Sequence, residues 1–247
     1  MHKITALCVL LTGVLATATY AESIVYSSTA QQTTLLELYT SEGCSSCPPT
    51  EQWLSRFKEN PSLWKQIIPV AFHVNYWDFL GWRDRFSNPN FSRRQYLYKK
   101  HGNVQAVYTP GMTINGREWR GWYGNKVLPS ASNTDVGILK AVLNDSNGSV
   151  EFESSKYSQR SLILNVALLG FNLESDISAG ENSGRKLNHD FVVLSLRKYH
   201  QQSDNNHFQW ILGDIPSDLP AEATGIALWV TEINNPTPLQ STGGWLQ

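Results

Sequence analysis

Two cysteines separated by two residues, Cys44 and Cys47, are the side chains of this sequence best suited by type and spacing to chemistry. Disulfide exchange needs a thiolate that a substrate can reach and a second thiol close enough to release the mixed disulfide. The stretch PPTEQWLSRFKEN, which begins at Pro48, predicts a helix whose first turn favours a thiolate on the leading cysteine. We therefore assign Cys44 as the attacking thiol and Cys47, expected to be less exposed, as the resolving thiol.

The same C-x-x-C spacing also occurs in half of a zinc site and in inert local bridges. Tetrahedral zinc normally takes four ligands, whereas this sequence has no second C-x-x-C pair. Its histidines are scattered singly without ligand spacing: His73, His101, His189, His200 and His207. A bridge across two residues constrains the unfolded chain very little, which favours a pair that is made and broken. We accordingly expect neither a metal nor another cofactor.

The first 21 residues differ from the rest of the chain. A basic start, an apolar run at Ile4–Leu15 and small residues after it predict a signal peptide at 1–21, cleaved after Ala18 or Ala21. The run is too short to cross a bilayer, which needs about 20 apolar residues. Cleavage would remove Cys8 and leave one cysteine pair. We expect an exported protein, periplasmic or secreted, with no membrane insertion after cleavage.

Charge and composition limit the classes of partner. The net charge is -1, from 20 basic and 21 acidic residues, which gives no electrostatic reason to expect nucleic acid or an anionic membrane surface. With 41% hydrophobic and 17% charged residues, the composition is typical of a globular protein. The cysteine pair instead leads us to expect protein or peptide thiols and disulfides as partners, together with an unidentified redox partner.

Strand and helix patterns alternate in residues 22–145, where we predict the first domain. A strand at Thr33–Tyr39 leads into the cysteine pair, and Ile67–Tyr76 is an apolar run typical of a buried central strand. Residues 77–107 are an insertion rich in aromatic and basic residues. The second half of this insertion, at about 90–101, predicts a helix.

A hairpin and a last helix are predicted after the insertion. Asn115-Gly116 lies between short apolar runs and is a strong hairpin-turn signal. Thr134-Asp135 is suited to cap a helix that carries the apolar residues up to Leu143. The order of strand, helix, strand, helical insertion, two strands and helix predicts an α/β domain around one sheet.

The pattern changes after Asn144, where residues 144–148 predict a hinge. Residues 146–247 contain short strand-like segments, turn residues between them and no convincing helix. We expect a small all-β, sandwich-like domain behind the first. The strand-like segments are Val150–Ser154, Ser161–Leu169, His189–Tyr199, Phe208–Leu212 and Thr224–Ile233.

Several motifs resemble known families. LELYTSEGCSSCP at 36–48 is similar to the strand, C-x-x-C and helix of the thioredoxin superfamily. Together with HVNYWD at 73–78, YTPGMTINGR at 108–117 and GRKLNHDFVV at 184–193, it resembles the secreted family catalogued as domain of unknown function 1223. The resemblance implies a thioredoxin-like domain in bacterial, periplasmic proteins, and it implies no substrate.

The thioredoxin resemblance assigns roles to further residues. Thr109-Pro110 looks like the superfamily's cis-proline loop, in which Pro110 would shape the groove beside Cys44 and the Thr109 backbone would pair with an extended substrate. An ordinary trans proline entering a strand is the alternative. Glu37 lies near the position of a buried proton-transfer carboxylate, but its register is off by one. It is therefore either a proton shuttle or a partly exposed strand residue.

Trp77 begins a crowded loop of aromatic and charged residues within the insertion. This loop should emerge at the carboxyl end of a strand, where active sites of α/β proteins lie. One interpretation is a lid or recognition surface, with Trp77 in contact with substrate. The other is aromatic packing between two domains, and the sequence favours neither.

These features favour an exported thiol–disulfide oxidoreductase that uses Cys44 and Cys47 on protein or peptide substrates. Ser45-Ser46 between the cysteines leaves the redox potential undetermined. One alternative is a binding or adaptor protein in which the pair is a structural disulfide. Another is periplasmic metal handling.

Overall fold

A computed structural model describes residues 23–124, 127–129, 132–144, 147–158, 160–201, 207–213 and 223–246 of the chain. The predicted signal peptide at 1–21 lies outside the described residues. Most of the regular structure is β-sheet. The strands are β1 (Ile24–Ser27), β2 (Thr34–Thr40), β3 (Ile67–His73), β4 (Gly111–Ile114), β5 (Arg117–Glu118), β6 (Ile138–Leu143), β7 (Gly148–Glu153), β8 (Leu162–Gly170), β9 (Leu173–Asp176), β10 (Lys186–His189), β11 (Val192–His200), β12 (His207–Ile211), β13 (Ala223–Glu232) and β14 (Asn235–Trp245).

An eight-stranded sheet with the order β14-β13-β8-β11-β3-β2-β4-β5 forms the centre of the fold. Its strands β2 and β3 run parallel, with Thr34 opposite Ile67 and Thr40 opposite His73. β4 pairs with β2 in the antiparallel direction, and β11 continues the sheet beyond β3. Every residue of β2 is buried, as is typical of a central strand covered on both faces.

Two α-helices, α1 (Pro48–Ser55) and α2 (Pro89–Lys100), pack on this sheet. The two prolines at the start of α1 are tolerated because the first N–H groups of a helix have no partner within it. The side chain of Asn88 caps α2 by accepting a hydrogen bond from the backbone N–H of Asn90. α2 confirms the helix predicted at about 90–101. Among the described residues, no helix is both long and apolar enough to span a membrane.

The two helices contact opposite faces of β2. Side chains alternate along a strand, so Glu37 and Thr40 point to opposite faces of the sheet. Thr40 donates its hydroxyl to Glu51 in α1, whereas Glu37 accepts hydrogen bonds from Arg94 in α2. Residues on the Thr40 face at the carboxyl ends of β2 and β3 therefore lie next to the cysteine pair.

A four-stranded sheet with the order β1-β6-β7-β12 encloses the second part of the core. Its buried side chains, such as Phe152 and Trp210, cluster with Leu164 and Leu228 of the eight-stranded sheet. Ala167, whose side chain lies on the opposite face of β8, belongs to the core around α1 and α2 instead. β8 is thus buried on both faces and joins the two cores.

The hairpin of β9 and β10 connects this framework to α1. Its strands pair antiparallel, with Leu173 opposite His189. Residues 177–185 link the two strands, and we call them the covering turn. The turn lies close to the insertion. A Cβ atom added to Gly180 would lie 3.4 Å from Cβ of Trp82.

The predicted fold class, a thioredoxin-like α/β domain with a helical insertion followed by a small sandwich-like domain, is wrong. The chain is mostly β-sheet, and strands β8, β11, β13 and β14 extend the same sheet that contains β2 and β3. The segment patterns indicated strands after residue 146, but pairing between strands distant in sequence is not visible in local periodicity.

Residues Ile138–Leu143 are strand β6 and not the predicted last helix. Leu139, Ala141 and Leu143 are buried while Ile138 and Lys140 are exposed, which is the period of two that a strand requires. Short apolar runs fit both helix and strand patterns. Pairing with β1 on one side and β7 on the other decides the outcome here.

Candidate functional site

Cys44 and Cys47 are joined in a disulfide at the beginning of α1. Their Cα atoms are 5.5 Å apart. The backbone N–H groups of Thr50 and Glu51 donate to the carbonyl oxygen of Cys47, so this cysteine belongs to the first helical turn. Since β2 ends at Thr40, the disulfide follows the carboxyl end of a central parallel strand, as the sequence predicts.

Both cysteines are buried in this conformation. Cys44 is 1% exposed and Cys47 is fully buried, so the expected exposure of the leading thiol is not observed. The Sγ atom of Cys44 lies 3.4 Å from the hydroxyl oxygen of exposed Ser46. A macromolecular substrate could therefore reach the sulfurs only if neighbouring segments move.

The covering turn holds the backbone on either side of Cys44. The amide of Asn182 is buried and donates to the carbonyl oxygens of Glu42 and Cys44 at 2.8 and 3.0 Å. The carboxylate of Glu181 accepts hydrogen bonds from the backbone N–H and the hydroxyl of Ser45 at 3.0 and 2.7 Å. These hydrogen bonds attach the hairpin to residues 42–47, which we call the cysteine loop.

Trp77 connects the cysteine loop to the predicted proline loop. A side chain on Gly43 would lie 3.1 Å from Cβ of Trp77, so the two backbones approach closely. The indole N–H of Trp77 donates to the hydroxyl of Thr109 at 2.7 Å. Two predicted substrate-binding residues therefore contact each other beside the disulfide.

The Thr109–Pro110 peptide bond is cis, as the family resemblance implies. Gly111, the next residue, pairs with Tyr39 near the end of β2. This pairing brings the proline loop to the end of the sheet at which β2 finishes and the chain continues to Cys44. The structure thus places Pro110 at the same end of the sheet as the cysteine pair.

Glu37 lies on the opposite face and has structural partners. Arg94 binds its carboxylate with two nitrogens at 2.7 and 2.9 Å, and the hydroxyl of Tyr98 donates to it at 2.5 Å. Burial opposes the charge on Arg94, but the adjacent carboxylate outweighs this effect and raises the pKa of the guanidinium. The structure does not bring Glu37 together with the cysteines.

A cluster of buried charged residues lies on the disulfide face of the sheet. Nδ1 of His73 is 2.7 Å from Oδ2 of Asp84. Nδ1 of His189 is 2.5 Å from Oε2 of Glu51, and its Nε2 is 3.4 Å from Oε1 of Glu42. All five side chains are less than one-tenth exposed. We call these residues the buried charge cluster.

The buried charge cluster favours the charged forms of its two histidines and of Glu51 and Asp84. Burial lowers the pKa of His189, but Glu51 and Glu42 outweigh this effect and raise it to about 10. Burial likewise opposes the charge on Glu51, and His189 holds its pKa below the usual value. Asp84 raises the pKa of His73 in the same way. Buried charge therefore accumulates on the face of the sheet that carries the disulfide.

Sequence reasoning missed this cluster because each histidine was weighed alone as a metal ligand. His73 ends β3 and His189 ends β10, so the topology brings together residues that are far apart in the sequence. A signal was present, since HVNYWD at 73–78 and GRKLNHDFVV at 184–193 each contain one of the two histidines.

The insertion covers the buried charge cluster. The indole N–H of Trp82 donates to Oε2 of Glu42 at 2.7 Å. The ring of Phe86 packs against the rings of His73 and His189, with centroids 5.2 and 5.6 Å apart. The aromatic residues of the insertion thus pack over the site next to the covering turn.

Residues 35–231 match the model of the family described as "Protein of unknown function (DUF1223)". The chain belongs to the DUF1223 family. The match extends from β2 into β13, so it includes the disulfide, the proline loop and the buried charge cluster. The resemblance to the DUF1223 family that the sequence motifs gave is confirmed.

Solved structures of two other proteins resemble this DUF1223 chain. Protein AGR_C_4864 from Agrobacterium tumefaciens is 20% identical with a TM-score of 0.61, over 86% of this chain and 93% of that one. HBP35 of Porphyromonas gingivalis is 13% identical with a TM-score of 0.58, over 87% of this chain and 76% of that one. At these identities the likeness shows a shared fold alone. No curated protein sequence matches the chain.

Proposed function

We propose that this chain is an exported thiol–disulfide oxidoreductase that acts on protein or peptide substrates. The observation that carries the proposal is the Cys44–Cys47 disulfide, which lies immediately before α1 and follows the carboxyl end of a central strand. Trp77 and Thr109 lie beside it and are joined by a hydrogen bond. A short-range disulfide adds little stability by constraining the unfolded chain, which favours a redox role.

The proposed reaction uses the two sulfurs in sequence. In the reduced protein, the thiolate of Cys44 attacks a substrate disulfide, forms a mixed disulfide and releases one substrate thiolate. The thiolate of Cys47 then attacks Sγ of Cys44, which closes the protein disulfide and releases the second substrate thiolate. Two electrons pass from the protein dithiol to the substrate. The helix N-terminus favours the thiolate form of Cys44.

We also propose that the region from β2 to β5 is related to the thioredoxin superfamily. Its support is local: the C-x-x-C pair precedes a helix, a proline loop precedes β4, and these strands have the order β3-β2-β4-β5. The relation would explain why the proline loop and the disulfide lie at the same end of the sheet.

Cysteine variants test the proposed exchange. We expect Cys44→Ser to abolish disulfide exchange and Cys47→Ser to accumulate mixed disulfides with Cys44. Loss of the short-range bridge has little effect on the unfolded chain, so both variants should fold. Exchange that persists in Cys44→Ser, or no exchange by the wild type with any dithiol or protein substrate, would contradict the proposal.

The burial of the disulfide favours a second candidate, an adaptor protein with a structural bridge. Cys44 is 1% exposed, and Asn182 holds its carbonyl oxygen. The reduction potential separates the two functions. Redox-active pairs have potentials between about -270 and -120 mV, whereas structural bridges lie below about -300 mV. A value below this limit would favour the adaptor.

Export and the redox partner are further parts of the proposal. The composition of residues 1–21 supports a cleaved signal peptide. Expression of the full chain in a bacterial host, followed by fractionation and N-terminal sequencing, should give a periplasmic or secreted product that begins after Ala18 or Ala21. Capture by Cys47→Ser in that compartment should then identify proteins with exchangeable thiols.

A further inference from the structure

Three buried side chains of the cluster bring possible metal-binding atoms together. One atom each from Glu51, His73 and His189 lies within 4.8 Å of the others. They come from α1, β3 and β10, so the tertiary fold and not a local motif assembles them. His73 is fully buried and His189 is 1% exposed.

One nitrogen of His73 has no hydrogen-bond partner within the described part of the chain. Asp84 lies 2.7 Å from Nδ1, and Nε2 is buried without a partner. Burial of a polar atom without a hydrogen-bond partner lowers the stability of the fold, so its presence indicates a ligand or another binding role. In the neutral ring, the proton that Nδ1 donates to Asp84 leaves Nε2 with the lone pair that a metal requires, so zinc would displace the second proton of the charged form.

His189 has the complementary arrangement. Its Nδ1 is directed at Glu51, and its Nε2 lies 3.4 Å from Oε1 of Glu42. Metal-binding histidines commonly donate their second ring N–H to a carboxylate, which fixes the orientation of the ring. Asp84 supplies this carboxylate to His73. Nε2 of His189 makes no hydrogen bond within the described residues, and Oε1 of Glu42, 3.4 Å away, is a candidate acceptor for it. Thr40 donates its hydroxyl to Glu51 and orients the third side chain.

We propose that the chain binds a divalent zinc ion through Nε2 of His73, Nδ1 of His189 and the carboxylate of Glu51. Imidazole and carboxylate together suit zinc, whereas magnesium and calcium prefer oxygen ligands. A divalent cation also balances the buried charge, because three carboxylates surround the two rings: Glu42, Glu51 and Asp84. The cysteines take no part, since their sulfurs are joined to each other.

Zinc binding is measured on the full mature chain with its disulfide oxidised. The protein is dialysed against Zn²⁺ and then against metal-free buffer, and its metal content is determined by mass spectrometry. We expect about one zinc ion per chain, which is lost in His73→Ala and His189→Ala. Asp84→Asn should weaken binding by about 10- to 100-fold. Exposed His101 provides the matched control, and His101→Ala should retain the metal.

Cobalt replacement tests the ligand set without any variant. The wild-type chain loaded with Co²⁺ should show the absorption of nitrogen and oxygen ligands and no sulfur-to-cobalt charge-transfer band. Loading should be equal in Cys44→Ser, which separates this site from the proposed redox function. A folded, oxidised wild type that retains no zinc would overturn the proposal. Unchanged retention in His73→Ala and His189→Ala, or a sulfur band in the wild type, would also overturn it.

Discussion

Nδ1 of His189 lies 2.5 Å from Oε2 of Glu51, and this contact joins the β9–β10 hairpin to the helix that begins at the disulfide. The contact is buried, and Glu42 approaches the other nitrogen of the same ring at 3.4 Å. The hairpin therefore contacts α1 through this charged pair and the cysteine loop through Asn182 and Glu181.

The first prediction concerns the stability of this charged contact. His189→Gln should lower the free energy of unfolding by about 3–5 kcal/mol, because the buried carboxylates of Glu42 and Glu51 lose their counter-charge. Denaturant unfolding of the oxidised protein with a metal chelator present measures the effect apart from metal binding. Lys186→Ala on the same hairpin removes an exposed pair with Glu174 and should change stability little. Equal stabilities of His189→Gln and the wild type would contradict this account.

The second prediction concerns the ion pair on the opposite face of β2. Arg94→Met should lower the free energy of unfolding by about 3–5 kcal/mol, because it leaves the buried carboxylate of Glu37 without its charged partner. The decrease in the free energy of unfolding should be smaller in the double variant Glu37→Gln/Arg94→Met than the sum of the decreases in the two single variants. Chemical denaturation of all three variants measures the coupling.

The same ion pair separates a structural role for Glu37 from a role as proton shuttle. Glu37 bonds to α2, whereas the disulfide precedes α1 on the opposite face. Glu37→Gln should therefore leave the pH dependence of thiol exchange unchanged. A shifted pH profile in a folded Glu37→Gln protein would restore the shuttle interpretation.

The local sequence patterns predicted the cysteine site better than the fold. The disulfide, α2 and the proline loop each follow from motifs within about a dozen residues, where turn and helix signals act directly. The sequence also indicated that Glu37 is out of register with a proton-transfer carboxylate, because side chains alternate between the two faces of a strand. These features depend on neighbours in the sequence.

The fold class and the buried charge cluster depend on distant pairings. Parallel pairing of β11 with β3 is recorded at Val192 and Ala71, more than 100 residues apart, and it places both halves of the chain in one sheet. His189 meets Glu51 through the same kind of long-range contact. Periodicity shows which face of a strand is buried, but it does not show which strand lies beside it.

The third prediction concerns access to the disulfide. Asn182→Ala removes two hydrogen bonds to the backbone around Cys44, so the covering turn should open more often. Reduction of the disulfide by a small phosphine should accelerate by about 2- to 10-fold, the effect of losing on the order of 1 kcal/mol of hydrogen bonding. Ser183→Ala alters an exposed residue of the same turn and serves as the control. An unchanged reduction rate would show that the turn does not limit access.

The fourth prediction concerns the contact between Trp77 and Thr109. Trp77→Phe keeps an aromatic ring but removes the indole donor, and Thr109→Val removes the acceptor. If this pair shapes the proposed substrate groove, each variant should slow exchange with a peptide disulfide by about 2- to 10-fold, as expected for one hydrogen bond. Because both variants remove the same bond, the double variant should be no slower than the slower single variant.

A small-molecule assay distinguishes substrate binding from damage to the disulfide itself. A phosphine makes no peptide contacts, so its reaction with Trp77→Phe should match that with the wild type. Equal slowing with the phosphine and the peptide would place the defect at the cysteines. Full peptide exchange by both single variants would show that the contact only packs the insertion against the proline loop. The ratio of the two rates therefore decides between the recognition and packing interpretations of the insertion.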